Sequence, residues 1–380
     1  MKVLLLSTYE KSGGAAIAAS RLLQALRHNG VDATMLCRKN ISVPWLRRLC
    51  PTLARKLEKQ SWTSIMERIV IWVCNGFSMK DLWATDIALF GQDITKTKEY
   101  KEADVIHLHW VNQGFLSLFQ IKRFIKDGKK VVWTMHDEWV LSATTHYGNN
   151  SLSWVSQKVF YIKNEFFRSS NITFVTCSKW LKVISESKPL AEGQHIISIP
   201  NCIDTTVFKS QDKIGLRKRF GLPTDKRIVL FVAQNVNDKR KGIKYLNEAE
   251  KWLDDIKVVA LGRDIPYINK VEDMACLYSA VDAFVTPSLQ DNLPNTIMEA
   301  MACGTPCVGF NVGGIPEMID HKENGYVARY KNAHDLADGI RYVLSPENNE
   351  RLGKAARAKV IECYSEKSVA QQYIEVYEQI

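Results

Sequence analysis

Short, continuous apolar runs recur along the whole chain, and a helical segment separates most neighbouring pairs. Val3–Ser7 is the first run. It meets Ser12-Gly13-Gly14 and then a helix over Ala15–Arg27, with Ile17, Leu22, Leu23 and Leu26 on one side and a stop at Asn29-Gly30. Further strands are expected at Ala33–Cys37, Val105–His109, Val131–Met135 and Ile172–Cys177, with helices over Leu118–Lys126 and near Val155–Phe167. The second half repeats the pattern, with strands at Ile228–Ala233, Val258–Leu261, Ala283–Thr286 and Pro306–Phe310. Strands that are apolar throughout are buried on both faces, and helices between them make parallel crossovers. The fold class is therefore α/β, with two Rossmann-like, doubly wound domains and a cleft between them.

A chain of 380 residues exceeds one ordinary core, which agrees with two domains. The polar Pro/Gly segment Ser187–Gln194 marks the boundary, giving domains over 1–187 and 188–380, with the last helix (365–380) packing back on the first. Charge divides the same way. Residues 1–190 hold 27 Lys and Arg against 15 Asp and Glu, whereas the remainder is slightly acidic. A basic half implies an anionic partner, either a phosphorylated substrate or an acidic membrane surface. Nucleic acid fits less well, because no stacking-aromatic motif is interleaved with the basic residues. No apolar stretch reaches the roughly 18 residues of a membrane helix, and Met1–Leu6 is too short for a signal peptide's core. The nine cysteines form no CxxC pair and read as buried thiols of a cytosolic protein.

The segment Thr286–Pro316 carries the chemistry. A strand runs into a Pro-Ser turn, Asp291 follows, and a helix then carries Glu299. In an open parallel sheet, ligands bind outside the carboxyl ends of the strands. Two carboxylates there can accept from hydroxyls of two sugars, and the helix start near Asn295-Thr296 suits a diphosphate. Gly13-Gly14, at the first strand-to-helix turn, offers a second helix start. That loop is too short for GxGxxG and lacks a Walker lysine, which counts against NAD and ATP.

Several segments together resemble the retaining GT-B glycosyltransferases of family 4, nearest to the bacterial polysaccharide-building members. They are SGGAAIAASRL, DVIHLHWVNQGFLS, VVWTMHDEWVLSATTHY, VTCSKWL, IPNCIDTTVF, FVAQNVNDKRKGIKYL, PSLQDNLPNTIMEAMACGTPCVGFNVGGIPEMI and NGYVARY. The resemblance implies a nucleotide-diphosphate sugar donor held mainly by the second domain, with its base beyond the Val258–Leu261 strand. Glu299 would hold the ribose, and Asp291, where most members have Glu, would face the donor sugar. The family's phosphate Arg is missing, since the strand ends Ala233-Gln234. Arg240 and Lys241 are its expected replacements. His136 would sit at the sugar's reacting side, with Asp137 either fixing its tautomer or capping the next segment. His107 and His109 read as core or cleft lining and not as metal ligands. The resemblance implies front-side attack with no metal or other cofactor, and a glycan or lipid-linked acceptor met from the basic first domain, at the inner face of a membrane. Two other readings remain: a same-fold nucleotide-sugar enzyme such as an epimerase, and an inactive relative that only binds.

The resemblance is weakest over 41–100. Arg47, Arg48, Arg55, Lys56 and Lys59 precede Trp62, Ile65, Met66, Ile69, Val70 and Val73, which share one face of a helix. That face is expected to pack on the domain's own core. The other reading is a surface for an anionic membrane.

Overall fold

The computed structural model describes residues 1–42, 50–52, 58–80, 82–146, 153–233, 235 and 238–380. Arg47, Arg48, Arg55, Lys56 and Gln234 lie outside them. The described chain forms two compact units. One comprises Met1–Cys177, Leu181–Ile199 and Gln371–Ile380, and the other Ser178–Trp180 and Pro200–Ala370.

The first unit is built on a six-stranded parallel sheet of β1 (Lys2–Ser7), β2 (Asp32–Cys37), β3 (Val105–Leu108), β4 (Lys130–Met135), β5 (Ile172–Thr176) and β6 (His195–Ser198). Their spatial order is β2-β1-β3-β4-β5-β6. Val3–Leu6, Val105–Leu108 and Val131–Met135 are buried along their length, as strands covered by helices on both faces must be. The chain steps from β1 outward to β2 and then returns to the other side of β1 as β3. Order reverses there, so the carboxyl ends of β1 and β3 flank a crevice. β6 lies beyond the boundary expected at Ser187–Gln194, and it completes this sheet. Apart from Ser178–Trp180, the chain stays in the first unit through Ile199.

The second unit holds β7 (Arg227–Phe231), β8 (Ile256–Ala260), β9 (Ala283–Thr286), β10 (Cys307–Phe310) and β11 (Gly325–Ala328), ordered β11-β10-β9-β7-β8 and also parallel. The reversal here lies between β7 and β9. Asp282, almost fully buried just before β9, draws the helix Lys213–Arg219 onto this sheet. Its carboxylate accepts from Arg217 and from the N–H of Ile228, and pairs with Lys213 at 3.0 Å. Burial opposes ionisation of Asp282, yet these partners outweigh it and hold its pKa below the usual value.

One element departs from expectation. The helix Trp62–Cys74 buries Ser64, Glu67, Arg68 and Ile71, whereas Trp62 is 70% exposed and Met66, Ile69 and Val73 are about half exposed. Only part of the expected stripe, such as Val70, packs inward, beside Ile71, Leu82 and Ile87. The polar face wins because it has partners. Glu67 accepts from the N–H groups of Ile87 (2.9 Å) and Ala88 (2.7 Å), and Arg68 donates to the carbonyls of Leu82 and Thr85 and to Asp86. Of the cysteines, five are buried and three half-buried, while Cys50 is exposed, contrary to the reading of all nine as buried.

Replacing Asp282 with Asn should leave Arg217 buried without its counter-charge. The expected cost is about 3 kcal/mol, seen as a lower denaturant midpoint for the second unit. An unchanged midpoint would remove Asp282 from its anchoring role.

Candidate functional site

In the second unit the loops that follow β7 and β9 meet. Leu289 N–H donates to the Arg240 carbonyl at 2.7 Å. Gly242 has φ +69°, and a Cβ there would lie 1.8 Å from the Pro287 carbonyl oxygen, so only glycine lets the loops close. Lys241 Nζ then reaches Asp291 at 2.6 Å. Arg240 pairs with Asp238 at 2.8 Å, and Asp238 also caps the short turn Lys239–Lys241. Arg240, first among these partners, holds the Asp238 carboxyl below its ordinary value. The two cations expected to cradle phosphate are thus each matched with an acid. Asp291 stands in the loop before the helix and not at its start, since the helix spans Asn295–Ala302.

That helix has no side-chain cap and no acid in its first turn, so the positive end of the helix dipole is not offset there by a carboxylate. Asn295 Oδ1 accepts from Asn201 Nδ2 at 3.2 Å, and Thr296 is half-buried. Glu299, 9% exposed, accepts from Tyr278 Oη at 2.9 Å. Gly313-Gly314 holds the Asp291 loop from below. Gly313 has φ +60°, a Cβ on it would lie 1.7 Å from the Asp291 carbonyl oxygen, and Gly314 N–H donates to the Asn292 carbonyl at 2.7 Å. Beyond β8, Gly262 (φ +87°) leaves room for the Tyr267 ring at the edge where the base is expected.

In the first unit, His109, His136 and Cys177 follow the ends of the adjacent strands β3, β4 and β5. His109 Nδ1 lies 3.1 Å from His136 Nε2, and His136 Nδ1 lies 3.9 Å from Cys177 Sγ. His107 is core, held by Tyr377 Oη at 2.6 Å and Thr134 Oγ1 at 2.8 Å. Burial lowers His107 to about 3 and His136 to about 4, so both rings are neutral near pH 7. Asp137 does not need His136 to explain it. Its carboxylate caps Trp139 N (2.9 Å) and accepts from Trp110 Nε1 (3.2 Å) and His146 Nδ1 (2.7 Å). The capping reading of Asp137 is the one the geometry shows. His146 was not singled out in the sequence, and neither was Tyr278. Gly13, with φ +89° and open space around a Cβ, serves the turn itself; Gly14 opens the helix Gly14–His28, which has no side-chain cap. Among the described residues, no group of three His, Cys, Asp or Glu is arranged to hold a metal ion.

Family models match both halves: Glycosyltransferase Family 4 over residues 12–207, and Glycosyl transferases group 1 over residues 226–346. The chain belongs to glycosyltransferase family 4. It is 24% identical over 324 residues, 80% of this chain and 81% of the relative, to N-acetyl-alpha-D-glucosaminyl L-malate synthase of Bacillus anthracis. It is 23% identical over 402 aligned residues, 98% of each chain, to the putative teichuronic acid biosynthesis glycosyltransferase TuaC of Bacillus subtilis. Among solved structures, Anabaena HepE in complex with UDP and glucose superposes with a TM-score of 0.65 at 16% identity, covering 100% of each chain. The fold of this family 4 glycosyltransferase is GT-B.

Two outcomes follow from the geometry of this glycosyltransferase. Gly313→Ala should force the Asp291 loop to move and lower the melting temperature by several degrees, because both the backbone angle and the space forbid a Cβ. Stability should also fall as pH drops from about 6.5 toward 4. In that window the unfolded chain protonates histidines that the folded chain keeps neutral, so their contribution is present above 6.5 and lost below it. A flat denaturant midpoint across that window would show that His107 and His136 are not buried as neutral rings.

Proposed function

We propose that this glycosyltransferase moves a sugar, with retention at the anomeric carbon, from a nucleoside-diphosphate sugar to a hydroxyl of a bacterial cell-surface glycan or its lipid-linked precursor. One observation carries the reading. At the order reversal of the second sheet, a buried carboxylate, a cation–carboxylate pair and an uncapped helix start come from loops joined to one another. Glu299 would accept from the ribose hydroxyls, with Tyr278 setting the carboxylate's orientation. The diphosphate would take Lys241 and Arg240 together with the helix N–H groups near Asn295 and Thr296. Once Lys241 turns to phosphate, the Asp291 carboxylate is released to accept from hydroxyls of the donor sugar.

In the transfer step, the bond between the anomeric carbon and the phosphate oxygen breaks, and its electron pair leaves on the diphosphate. The acceptor oxygen bonds the same face of that carbon, and its proton passes to the departing phosphate oxygen. The enzyme contributes positioning and stabilisation of the growing phosphate charge, and needs no metal for it. The neutral His136 would hydrogen-bond the reacting sugar.

The first unit supports an acceptor at an anionic membrane. Trp62, Met66, Ile69 and Val73 on one helix, with Phe77, Met79 and Trp83 after it, are exposed apolar side chains in a unit of basic composition. Aromatic and aliphatic groups beside basic ones favour the interface of a bilayer. No described helix is long and apolar enough to cross a membrane.

Release of nucleoside diphosphate from a panel of nucleotide sugars, UDP-sugars first, tests the chemistry. Glu299→Gln should weaken donor binding about 10- to 100-fold, the equivalent of ~1.5–3 kcal/mol, with an unchanged melting temperature. Lys241→Ala should lower kcat more than it raises the donor KM. Wild-type affinity in the first variant would return Glu299 to a structural role, and a rate abolished by chelator would end the metal-free step. For the acceptor side, vesicles with anionic headgroups should bind the protein better than neutral ones, and replacing Trp62, Met66 and Ile69 with Ser should abolish the binding. Equal binding to both vesicle types would point to a water-borne acceptor.

A further inference from the structure

The loop that follows His136 is held by a cluster of buried charges that the transfer chemistry does not itself use. His146 Nδ1 lies 2.7 Å from Asp137 Oδ2, and His146 Nε2 lies 2.8 Å from Asp86 Oδ2. A neutral imidazole has one N–H and one lone pair. Between two carboxylates it would set that lone pair against a negative oxygen at hydrogen-bond distance, so this arrangement requires both nitrogens to be protonated. The ring lies between Trp110 and Trp139, with centroids at 5.6 and 6.4 Å. Trp110 Nε1 donates to Asp137, and Trp139 Nε1 donates to the Asp86 carbonyl at 2.8 Å. The backbone closes in the same place: Glu138 N–H donates to the His146 carbonyl at 3.1 Å, and Asp86 N–H to that of Thr144 at 3.0 Å.

The charges balance only with the imidazolium. Asp86 and Asp137 face Arg68 and His146, and a neutral His146 would leave two buried carboxylates to one guanidinium. The other titratable groups around the cluster only add to this need, since Glu67 contributes further negative charge as it ionises and Lys163 is held toward its neutral form. Burial, with Asp86 nearby, pushes the Glu67 carboxyl up to about 7, and burial drives the Lys163 amine well below its ordinary value. Lys163 Nζ donates to the carbonyls of Trp139 and Ser142, which pins the loop from the helix Ser153–Arg168. Lys188 joins the same loop through Glu138 at 2.7 Å. His136 is the neighbour whose ring is kept neutral by burial.

We propose that His146 is a positioning residue for glycosyl transfer: as a cation it clamps Asp137 to Asp86 and so fixes the segment that presents His136. This rests on the reading of His136 as a group at the reacting sugar. Burial alone would lower the His146 pKa, but Asp137 and Asp86 outweigh it and hold it up to about 10, so the clamp keeps its charge throughout the neutral range.

The test combines a spectroscopic signature with kinetics. In the wild-type protein, nitrogen-15 resonances of the His146 ring should show two protonated nitrogens at pH 8.5, where an ordinary histidine is neutral. His146→Gln and Asp86→Asn should each lower kcat for transfer about tenfold and leave the donor KM within twofold. Their combination should be no worse than either alone, since both break one clamp. Because the folded pKa is raised, the stabilisation is complete below about pH 6.5 and is lost as pH rises through about 10; His146→Gln should flatten that loss. A ring with one protonated nitrogen at pH 8.5 overturns the proposal even if the variants fail to fold, and so does a folded His146→Gln enzyme with wild-type kcat. His136→Ala serves as the separate control. A wild-type rate in that variant would refute the role of His136 while the ring's protonation still reports on the clamp.

Discussion

Parallel strand pairing is the constraint on which the rest depends. Each parallel neighbour demands a crossover, so within each sheet every strand runs the same way and every loop after a strand emerges at that sheet's one edge. That edge collects residues from distant parts of the sequence. Arg240, Lys241, Asp291 and the helix carrying Glu299 come together after β7 and β9, and His109, His136 and Cys177 line up after β3, β4 and β5. The reversal of strand order then leaves one gap per sheet where no crossover helix sits over the edge. In the second unit the close approach of these loops also depends on glycine at Gly242 and Gly313.

Charge in this protein is handled by pairing at close range. Lys241 with Asp291, Arg240 with Asp238 and Arg68 with Asp86 all place opposite charges within one contact. The pairs differ in depth. Those of the second unit are part-exposed, where solvent weakens the attraction and an incoming anion can compete. Arg68 and Asp86 are nearly sealed from water, where breaking a pair leaves a charge with nothing to solvate it. One arrangement is suited to exchange partners and the other to stay fixed.

How much was legible in the sequence follows from which interactions are local. The apolar runs that become β1, β3, β4, β7 and β9 could be read directly, because each is buried by its own composition. β6 and β11 are short and partly exposed, and they were not singled out. The residues proposed to hold the donor came from motif order, and their pairing with one another could not be read there. The apolar face of the helix Trp62–Cys74 was expected to pack mainly on the core, and only part of it does. Counting apolar positions finds the wider apolar face, but burial there is decided by Asp86 and the N–H groups of Ile87 and Ala88, some twenty residues away. His146 was passed over for the same reason, since its second carboxylate is 60 positions upstream. A lone histidine carries no signal until the fold supplies its partners.

The residues around His107 have a consequence for the order of synthesis. Its Nδ1 partner is Tyr377, and Tyr373 Oη lies 2.9 Å from Thr134, the partner of its other nitrogen. Both tyrosines belong to Gln371–Ile380, which the first unit receives after the second has been made. On the ribosome, domains generally form in the order of translation. Until the two tyrosines are made, His107 lacks the hydroxyl partner and the ring cover that they supply. The second unit, encoded in between, can complete its own sheet before the first is sealed. The last contacts of the first unit thus form only once Gln371–Ile380 has been translated, after the whole of the second unit.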